Sequence, residues 1–141
     1  MKKRQSGVLM HISSLPGKYG IGSFGQSAYD FVDFLVRTKQ RYWQILPLGT
    51  TSYGDSPYQS FSAFAGNTYF IDFDILIEEG LLNEADVKGA DFGDDPRKVD
   101  YAKIFDARRP IMEKAVARFL KAEDLSDYES FVEENAAWLE V

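Results

Sequence analysis

The chain has 141 residues, of which 45% are hydrophobic and 15% aromatic, and it carries a formal net charge of −6. This length fits one domain, and so many aromatic side chains exclude a solvated, disordered coil. The negative charge argues against nucleic acid and anionic membranes as partners, because their phosphates repel it. With no cysteine, disulfides and thiolate metal sites are excluded, and we expect a cytoplasmic protein.

The first half of the chain reads as strand, helix, strand. Residues 7–12 form a nearly continuous apolar run, which is typical of a strand buried on both faces. Ser27 is predicted to cap a helix that ends near Thr38, with Asp30 completing a variant capping box. The apolar residues of its predicted buried face are Ala28, Phe31, Val32 and Leu35. Residues 42–48 form the second strand, and such a unit predicts parallel pairing.

Two long loops follow the predicted strands, at residues 13–26 and 49–67. Ligands of parallel α/β folds bind in the loops that leave the carboxyl ends of the strands. Both loops exceed the usual 2–6 residues of such connections, and long loops are mostly functional or disordered. The second loop contains Tyr58, Phe61 and Phe64, which argues against disorder. We therefore expect the functional site at these two loops.

The second half of the chain is predicted to be helical. Asp72 and Asn83 can each cap a short helix. A longer helix is expected over residues 104–122, and Pro110 should start or kink it. Ser126 is predicted to open a capping box at the start of the last helix.

A glycine-rich segment at residues 20–25, Gly-Ile-Gly-Ser-Phe-Gly, matches the dinucleotide pattern G-x-G-x-x-G. Two observations argue against nucleotide binding. Seven residues separate Ile12 from Gly20, whereas the nucleotide fingerprint turns directly off its strand, and no acidic residue ends the second strand. A conformational role for the glycines is the alternative interpretation.

His11 is the only histidine in the chain. It lies at the end of an apolar strand, so it is either a hydrogen-bonded core residue or a residue that faces a ligand. One histidine without cysteine cannot build a zinc site. We therefore expect neither a metal nor another cofactor.

Residues 49–60 combine tyrosine with serine, aspartate and glutamine in the order GTTSYGDSPYQS. Tyrosine rings can cover the apolar C–H faces of a hexose, while polar side chains pair with its hydroxyls. A turn that packs on itself would have a similar composition. Both interpretations, a sugar site and a self-packed turn, follow from the residues alone.

Three motifs in order resemble the amylomaltases, which are 4-alpha-glucanotransferases of the α-amylase clan. They are SSLPG at residues 13–17, WQILPLG at 43–49, and YGDSPYQS at 53–60 followed by SAFAGN at 62–67. The resemblance continues through EEGLL at 78–82, VDY at 99–101 and NAAWL at 135–139, so it spans essentially the whole chain. Thr68 stands where the family often has proline.

The resemblance implies an α/β fold that is the N-terminal portion of a (β/α)₈ TIM barrel. Residues 1–67 would be the start of the catalytic barrel, with the active-site loop at 49–67, and residues 68–141 part of an inserted helical subdomain. A plain barrel takes about 250 residues, so the chain is expected to be an N-terminal fragment. Its two strands would leave unpaired edges, which predicts self-association of the isolated chain.

The resemblance also implies a reaction, the transfer of α-1,4-glucan segments between maltodextrins with retention. The catalytic carboxyl groups of the family lie downstream of these residues, so no catalytic residue is assigned and the chain alone is expected to be inactive. Tyr58 and Ser56 match the active-site motif and would contact the reacting sugar. Asp55 and Gln59 flank them as supports.

Two tyrosines resemble or suggest a further glucan contact outside the active site. Tyr53 resembles the aromatic residue of an accessory contact in the family, and Tyr101 is a second candidate for it. A non-catalytic carbohydrate-binding module could use the same aromatic loop without performing transfer. That module is the alternative function.

Overall fold

The computed structural model describes residues 4–52 and 54–139. The strands are β1 (Gly7–Leu9) and β2 (Tyr42–Gln44). The helices are α1 (Gln26–Arg37), α2 (Phe73–Glu78), α3 (Glu84–Val87), α4 (Tyr101–Phe119) and α5 (Ser126–Leu139). Short 3₁₀ turns occupy Ile12–Ser14 and Thr68–Phe70. Within the described ranges, no helix is long and apolar enough to cross a membrane.

The two strands pair in parallel, which confirms the predicted strand–helix–strand unit. Val8 lies opposite Trp43 in the register. Both strands are shorter than predicted. The chain leaves β1 for the 3₁₀ turn at Ile12–Ser14, and β2 ends before Pro47, which has no N–H for a ladder.

The small sheet is covered on one face, so the prediction of a strand buried on both faces is wrong. Phe31 of α1 packs edge-on against Trp43, with ring centroids 4.9 Å apart. Leu9 and Tyr42 lie on the opposite face and are 58% and 60% exposed, because side chains alternate along a strand. Val32 was also predicted to be buried, but it is 44% exposed. The described sheet has only two strands, so it covers only part of the predicted buried face of α1.

Helix α1 begins two residues earlier than predicted. Its N-cap is Gly25, and Ser27 is already helical, so Ser27 is not the cap. A Cβ atom at Gly25 would collide with the carboxylate of Asp72, which leaves room only for glycine. Asp30 accepts a hydrogen bond from the Gln26 side chain at 2.8 Å instead of closing a capping box with Ser27.

Asp72 connects the first loop to the second half of the chain. As predicted, it caps α2, and its Oδ1 accepts from the Asp74 amide at 2.9 Å. Its other oxygen accepts from the hydroxyl of Ser23. Asp74 in turn accepts from the Tyr19 hydroxyl at 2.5 Å. Asn83 caps α3, also as predicted.

Helices α4 and α5 both start earlier in the structure than the sequence predicted. Asp100 caps α4, its Oδ1 accepting from the Lys103 amide at 3.1 Å, so the helix starts three residues before residue 104. Pro110 lies inside α4 and therefore does not start it. Ser126 is the first residue of α5 rather than its N-cap, and its amide donates to Asp124 Oδ1 at 2.9 Å.

The core consists of two clusters that join both halves of the chain. The first contains Ile12, Leu15, Ile21, Ala28, Phe70 and Ile104. The second contains Phe73, Leu82, Ile111 and Ala115. Arg108 is buried over the Phe73 ring, with Cζ 4.1 Å from the ring centroid, and burial lowers its pKa to about 10. The first loop and the strand ends are thus packed onto α4.

The second loop starts and ends at one place, which we call the neck. Gly49 and Gly66 form an antiparallel bridge there. Ser60 folds back onto the neck, with its Oγ 3.3 Å from Thr50 Oγ1 and donating to the Ser62 carbonyl at 2.6 Å. A Cβ atom on Gly49 would lie 2.7 Å from Ser60 Oγ, whereas one on Gly66 would meet no atom within 4 Å.

This asymmetry predicts different results for two otherwise matched substitutions. Gly49→Ala should push the Ser60 hydroxyl away from the neck and lower the free energy of unfolding by about 0.5–1.5 kcal/mol, the usual net contribution of a hydrogen bond. Gly66→Ala, on the other strand of the same bridge, should change little. Limited chymotrypsin digestion, which cuts after exposed Tyr58 and Phe61, measures loop opening. Equal cleavage rates in the two variants would contradict the packing described.

Candidate functional site

A small cavity of about 120 Å³ lies where both strands end. We call it the strand-end cavity. Its polar lining comes from four parts of the chain: the end of β1, the two long loops and α4. The polar or titratable lining residues are His11, Ser13, Ser14, Thr51, Asp55, Asn67 and Tyr101. The predicted location of the site, at the carboxyl ends of parallel strands, therefore holds a cavity.

His11 is a hydrogen-bonded buried residue that also borders this cavity. Its side chain is 8% exposed, and its Nδ1 accepts from the Leu46 amide at 3.3 Å. The ring meets Phe70 edge to face, with centroids 5.3 Å apart. Burial lowers the pKa of His11 below 6.5, which favours the neutral ring that such an acceptor requires. The two interpretations of His11 are thus compatible.

Asp55 enters the cavity from a tight turn with left-handed backbone. Gly54 and Asp55 have φ angles of +94° and +54°, and the Asp55 amide donates to the Ser52 carbonyl at 3.0 Å. Aspartate is one of the few residues that tolerates this conformation. Burial raises the pKa values of the Tyr69 and Tyr101 hydroxyls, and the negative charge of Asp55 raises them further.

Tyr58 faces a different space. It is 71% exposed and borders an open groove of about 490 Å³ that we call the loop groove. Ser60, Ser62 and Phe64 line the same groove, so an aromatic ring stands beside hydroxyl groups. Pro57 lines both the groove and the strand-end cavity. The structure therefore places Asp55 and Tyr58, three residues apart, at two adjoining spaces.

Ser56 and Gln59 shape the turn between these two spaces. The Gln59 amide donates to the Ser56 carbonyl at 3.0 Å, and the Ser52 amide donates to the Gln59 carbonyl at 3.0 Å. Ser56 Oγ also accepts from the Tyr58 amide at 3.4 Å. Their roles as sugar contact and support stay predictions. Tyr53 lies outside the described residues.

Ser13 and Asn67 are among the cavity residues that were not predicted from the sequence. Each belongs to a motif that was singled out: Ser13 starts SSLPG, and Asn67 ends SAFAGN. The positions of these motifs directly after the strands were a signal that could have found them. Tyr101, considered for an accessory contact, is half-buried at the cavity, where α4 begins.

The glycine-rich segment is packed against the chain itself. A Cβ atom would collide with the Phe92 carbonyl at Gly20, with the Ile12 carbonyl at Gly22 and with Asp72 at Gly25. The Asp72 carboxylate thus stands at the start of α1, where a nucleotide would need to place its pyrophosphate. These contacts favour the conformational role of the glycines.

A metal site finds no support in residues 4–52 and 54–139. No group of three or more histidine, aspartate or glutamate side chains in these ranges could hold a metal ion. The cavity itself offers His11 and Asp55 as potential ligands, and the remaining polar groups are hydroxyls and an amide.

Comparison with known proteins gives consistent matches over nearly the whole chain. The family described as 4-alpha-glucanotransferase matches residues 10–141. A 4-alpha-glucanotransferase from Streptococcus pneumoniae is 75% identical over all 141 residues, which are 28% of that protein. One from Thermus thermophilus is 45% identical over 140 residues, covering 97% of this chain and 27% of the relative.

A solved structure shows the same relation. The amylomaltase from Streptococcus agalactiae in complex with acarbose superposes with a TM-score of 0.91 at 60% sequence identity. The match covers 95% of this chain and 27% of that one. The chain therefore spans 27–28% of the length of these three relatives. From these matches we conclude that the chain belongs to the 4-alpha-glucanotransferase family.

Proposed function

We propose that the complete protein transfers α-1,4-glucan segments from one maltodextrin to another with retention at the reacting carbon. The observation that carries this proposal is the loop groove: in a chain of this family, an exposed Tyr58 stands beside the Ser60 and Ser62 hydroxyls at the carboxyl end of β2. A sugar ring needs such a combination, since its C–H faces are apolar and its edge carries hydroxyls.

The proposed reaction has two steps. A carboxylate attacks the anomeric carbon of the donor, and a carboxylic acid protonates the departing glycosidic oxygen. The hydroxyl of an acceptor glucan then displaces the carboxylate from the anomeric carbon. It loses its proton to the residue that protonated the glycosidic oxygen in the first step. The two carboxyl groups of a retaining site stand about 5–5.5 Å apart.

The described residues that line the strand-end cavity and the loop groove do not supply this pair. Asp55 is the only carboxylate among the described residues that line the strand-end cavity or the loop groove. We therefore assign the nucleophile and the acid to parts of the protein beyond this chain. Tyr58 and Ser56 are proposed to contact the reacting sugar, with Asp55 and Gln59 as supports.

The proposed architecture is a (β/α)₈ barrel that begins with residues 1–67, followed by a helical insertion at residues 68–141. The parallel β1–β2 pair and its connecting α1 support the first part. The helices α2–α5, which have no strand between them, support the second. Tyr53 is proposed as an accessory glucan contact. We place the protein in the cytoplasm on the basis of its lack of cysteine.

The partner implied by this function is an α-1,4-glucan such as maltotriose. Self-association of the isolated chain is a separate proposal, supported by exposed Leu9 and Tyr42 on the uncovered sheet face. The alternative of a non-catalytic carbohydrate-binding module is favoured by one observation, the lack of a carboxylate in the described lining of the loop groove.

Replacing Tyr58 tests the proposed sugar contact in the complete protein. Tyr58→Ala should lower kcat/KM for maltotriose by about 5- to 150-fold, equivalent to roughly 1–3 kcal/mol, because ring contact and a hydroxyl partner are lost. Tyr58→Phe should lose less, since it keeps the ring. Tyr29→Ala, at an exposed tyrosine of α1, is the matched control. Transfer at the unsubstituted rate by Tyr58→Ala would refute the contact.

The isolated chain of 141 residues separates the enzyme from the binding module. Incubated with maltotriose, it should release no glucose and form no longer maltodextrins, because binding residues cannot replace the two missing carboxyl groups. Product chromatography against a mock-purified control is the measurement. Products would show that we have misplaced the catalytic groups. Inactivity of the complete protein combined with retained glucan binding would instead favour the module.

A further inference from the structure

We propose that His11 is a positioning residue: its imidazole fixes the end of β2 and thereby the neck of the loop that carries Tyr58. The proposal rests on the proposed function for its kinetic consequences. Its structural part, a hydrogen bond across the strand ends, does not. Two observations support it: the hydrogen bond that His11 accepts from the Leu46 amide, and the position of His11 in the lining of the strand-end cavity.

The first observation is a hydrogen bond that joins the two strand ends through the side chain of His11. The last backbone bond between the strands runs from the Met10 amide to the Gln44 carbonyl at 3.0 Å. Beyond it the strands no longer pair, and the Leu46 amide donates to His11 Nδ1 at 3.3 Å instead. The Trp43 indole closes the same end by donating to the Met10 carbonyl at 2.7 Å.

The segment after Leu46 transmits this position to the loop. Pro47 stiffens the backbone, because its ring fixes φ. The next residue, Leu48, accepts from the Asn67 amide at 2.8 Å, and Gly49 then forms its bridge with Gly66. The neck therefore begins only three residues after the amide that donates to His11.

The second observation is that His11 shares the strand-end cavity with the second loop. His11 lines it together with Asp55 and Pro57, which belong to the same loop as Tyr58. The ring thus borders the loop near its middle as well as near its start. The imidazole also packs edge to face against the ring of Phe70, another lining residue of the cavity, and this contact helps to hold its orientation.

The hydrogen bond to Leu46 requires a neutral ring, because a protonated Nδ1 is a donor. The titratable groups that face the ring across the cavity are Asp55 and Tyr101. Burial lowers the pKa of His11, so the neutral form persists to lower pH than in a solvent-exposed histidine. Acidification through that lowered pKa should break the bond and release the end of β2.

Two variants separate positioning from packing. His11→Phe keeps an aromatic ring against Phe70 and removes the acceptor for Leu46. His11→Asn is smaller but offers an amide oxygen close to the place of Nδ1. In the complete protein, His11→Phe should lower kcat/KM for maltotriose transfer roughly 10- to 100-fold, as misplacement of a positioned group does. His11→Asn should retain transfer to within about threefold of the unsubstituted protein.

Amide hydrogen exchange at Leu46 is a readout that does not depend on transfer. After correction for intrinsic rates, exchange should be faster in His11→Phe than in His11→Asn at pH 7. It should also speed up on acidification in the unsubstituted protein but not in His11→Asn. The same pair of proteins should show a difference in the acid limb of kcat/KM, with His11→Asn less sensitive.

The outcomes distinguish this inference from the proposed function. No transfer by the unsubstituted complete protein would refute the proposed function, while the exchange rates would still test the bond. An active protein in which His11→Phe transfers normally would overturn the positioning role. Equal losses in both variants would also overturn it, since packing alone would then explain them. An identical acid limb in the unsubstituted protein and in His11→Asn would overturn the titration.

Discussion

The carboxylate of Asp72 is the interaction on which most of this structure depends. One oxygen caps α2, and the other accepts from Ser23 in the first loop. The same group occupies the space beside Gly25, where α1 begins. A single side chain therefore sets the start of two helices and the course of the loop between β1 and α1. Ser13 and the Ile12–Ser14 turn reach the strand-end cavity because that loop is held against the second half of the chain.

Local signals in the sequence predicted the features that local physics decides. The parallel strand–helix–strand unit followed from hydrophobic runs and spacing, and the Asp72 and Asn83 caps followed from side chains that bond amides two or three residues ahead. The predicted start of α1 was wrong because the residue that packs against the true start, Asp72, lies far along the chain. Ser27 has the right chemistry for a cap, but the contact with Asp72 places the cap at Gly25. No periodicity reports such a contact.

The sequence predicted one candidate site in the second loop, and the structure divides the residues of that loop between two spaces. Composition put Asp55 and Tyr58 together, whereas in the structure the chain passes through left-handed backbone at Gly54 and Asp55 before it reaches Tyr58. Asp55 then faces partners that come from other segments, among them His11 and Tyr101. Which way a turn aims its side chains depends on φ angles that the sequence only constrains. The amide of Leu46 as the partner of His11 was equally beyond a reading of the residues.

The neck makes the second loop a closed unit. Its two ends meet at the Gly49–Gly66 bridge. The entropic cost of closing a loop rises only slowly with its length, so a longer loop could still close at this bridge. Residues inserted beside Gly54, where a Cβ atom would meet no atom within 4 Å, would lengthen the loop without moving either strand. Relatives can therefore differ in the reach and shape of this loop while sharing one scaffold. Variation in the glucans that such proteins accept would then be expected to concentrate at the tip, with the neck held constant.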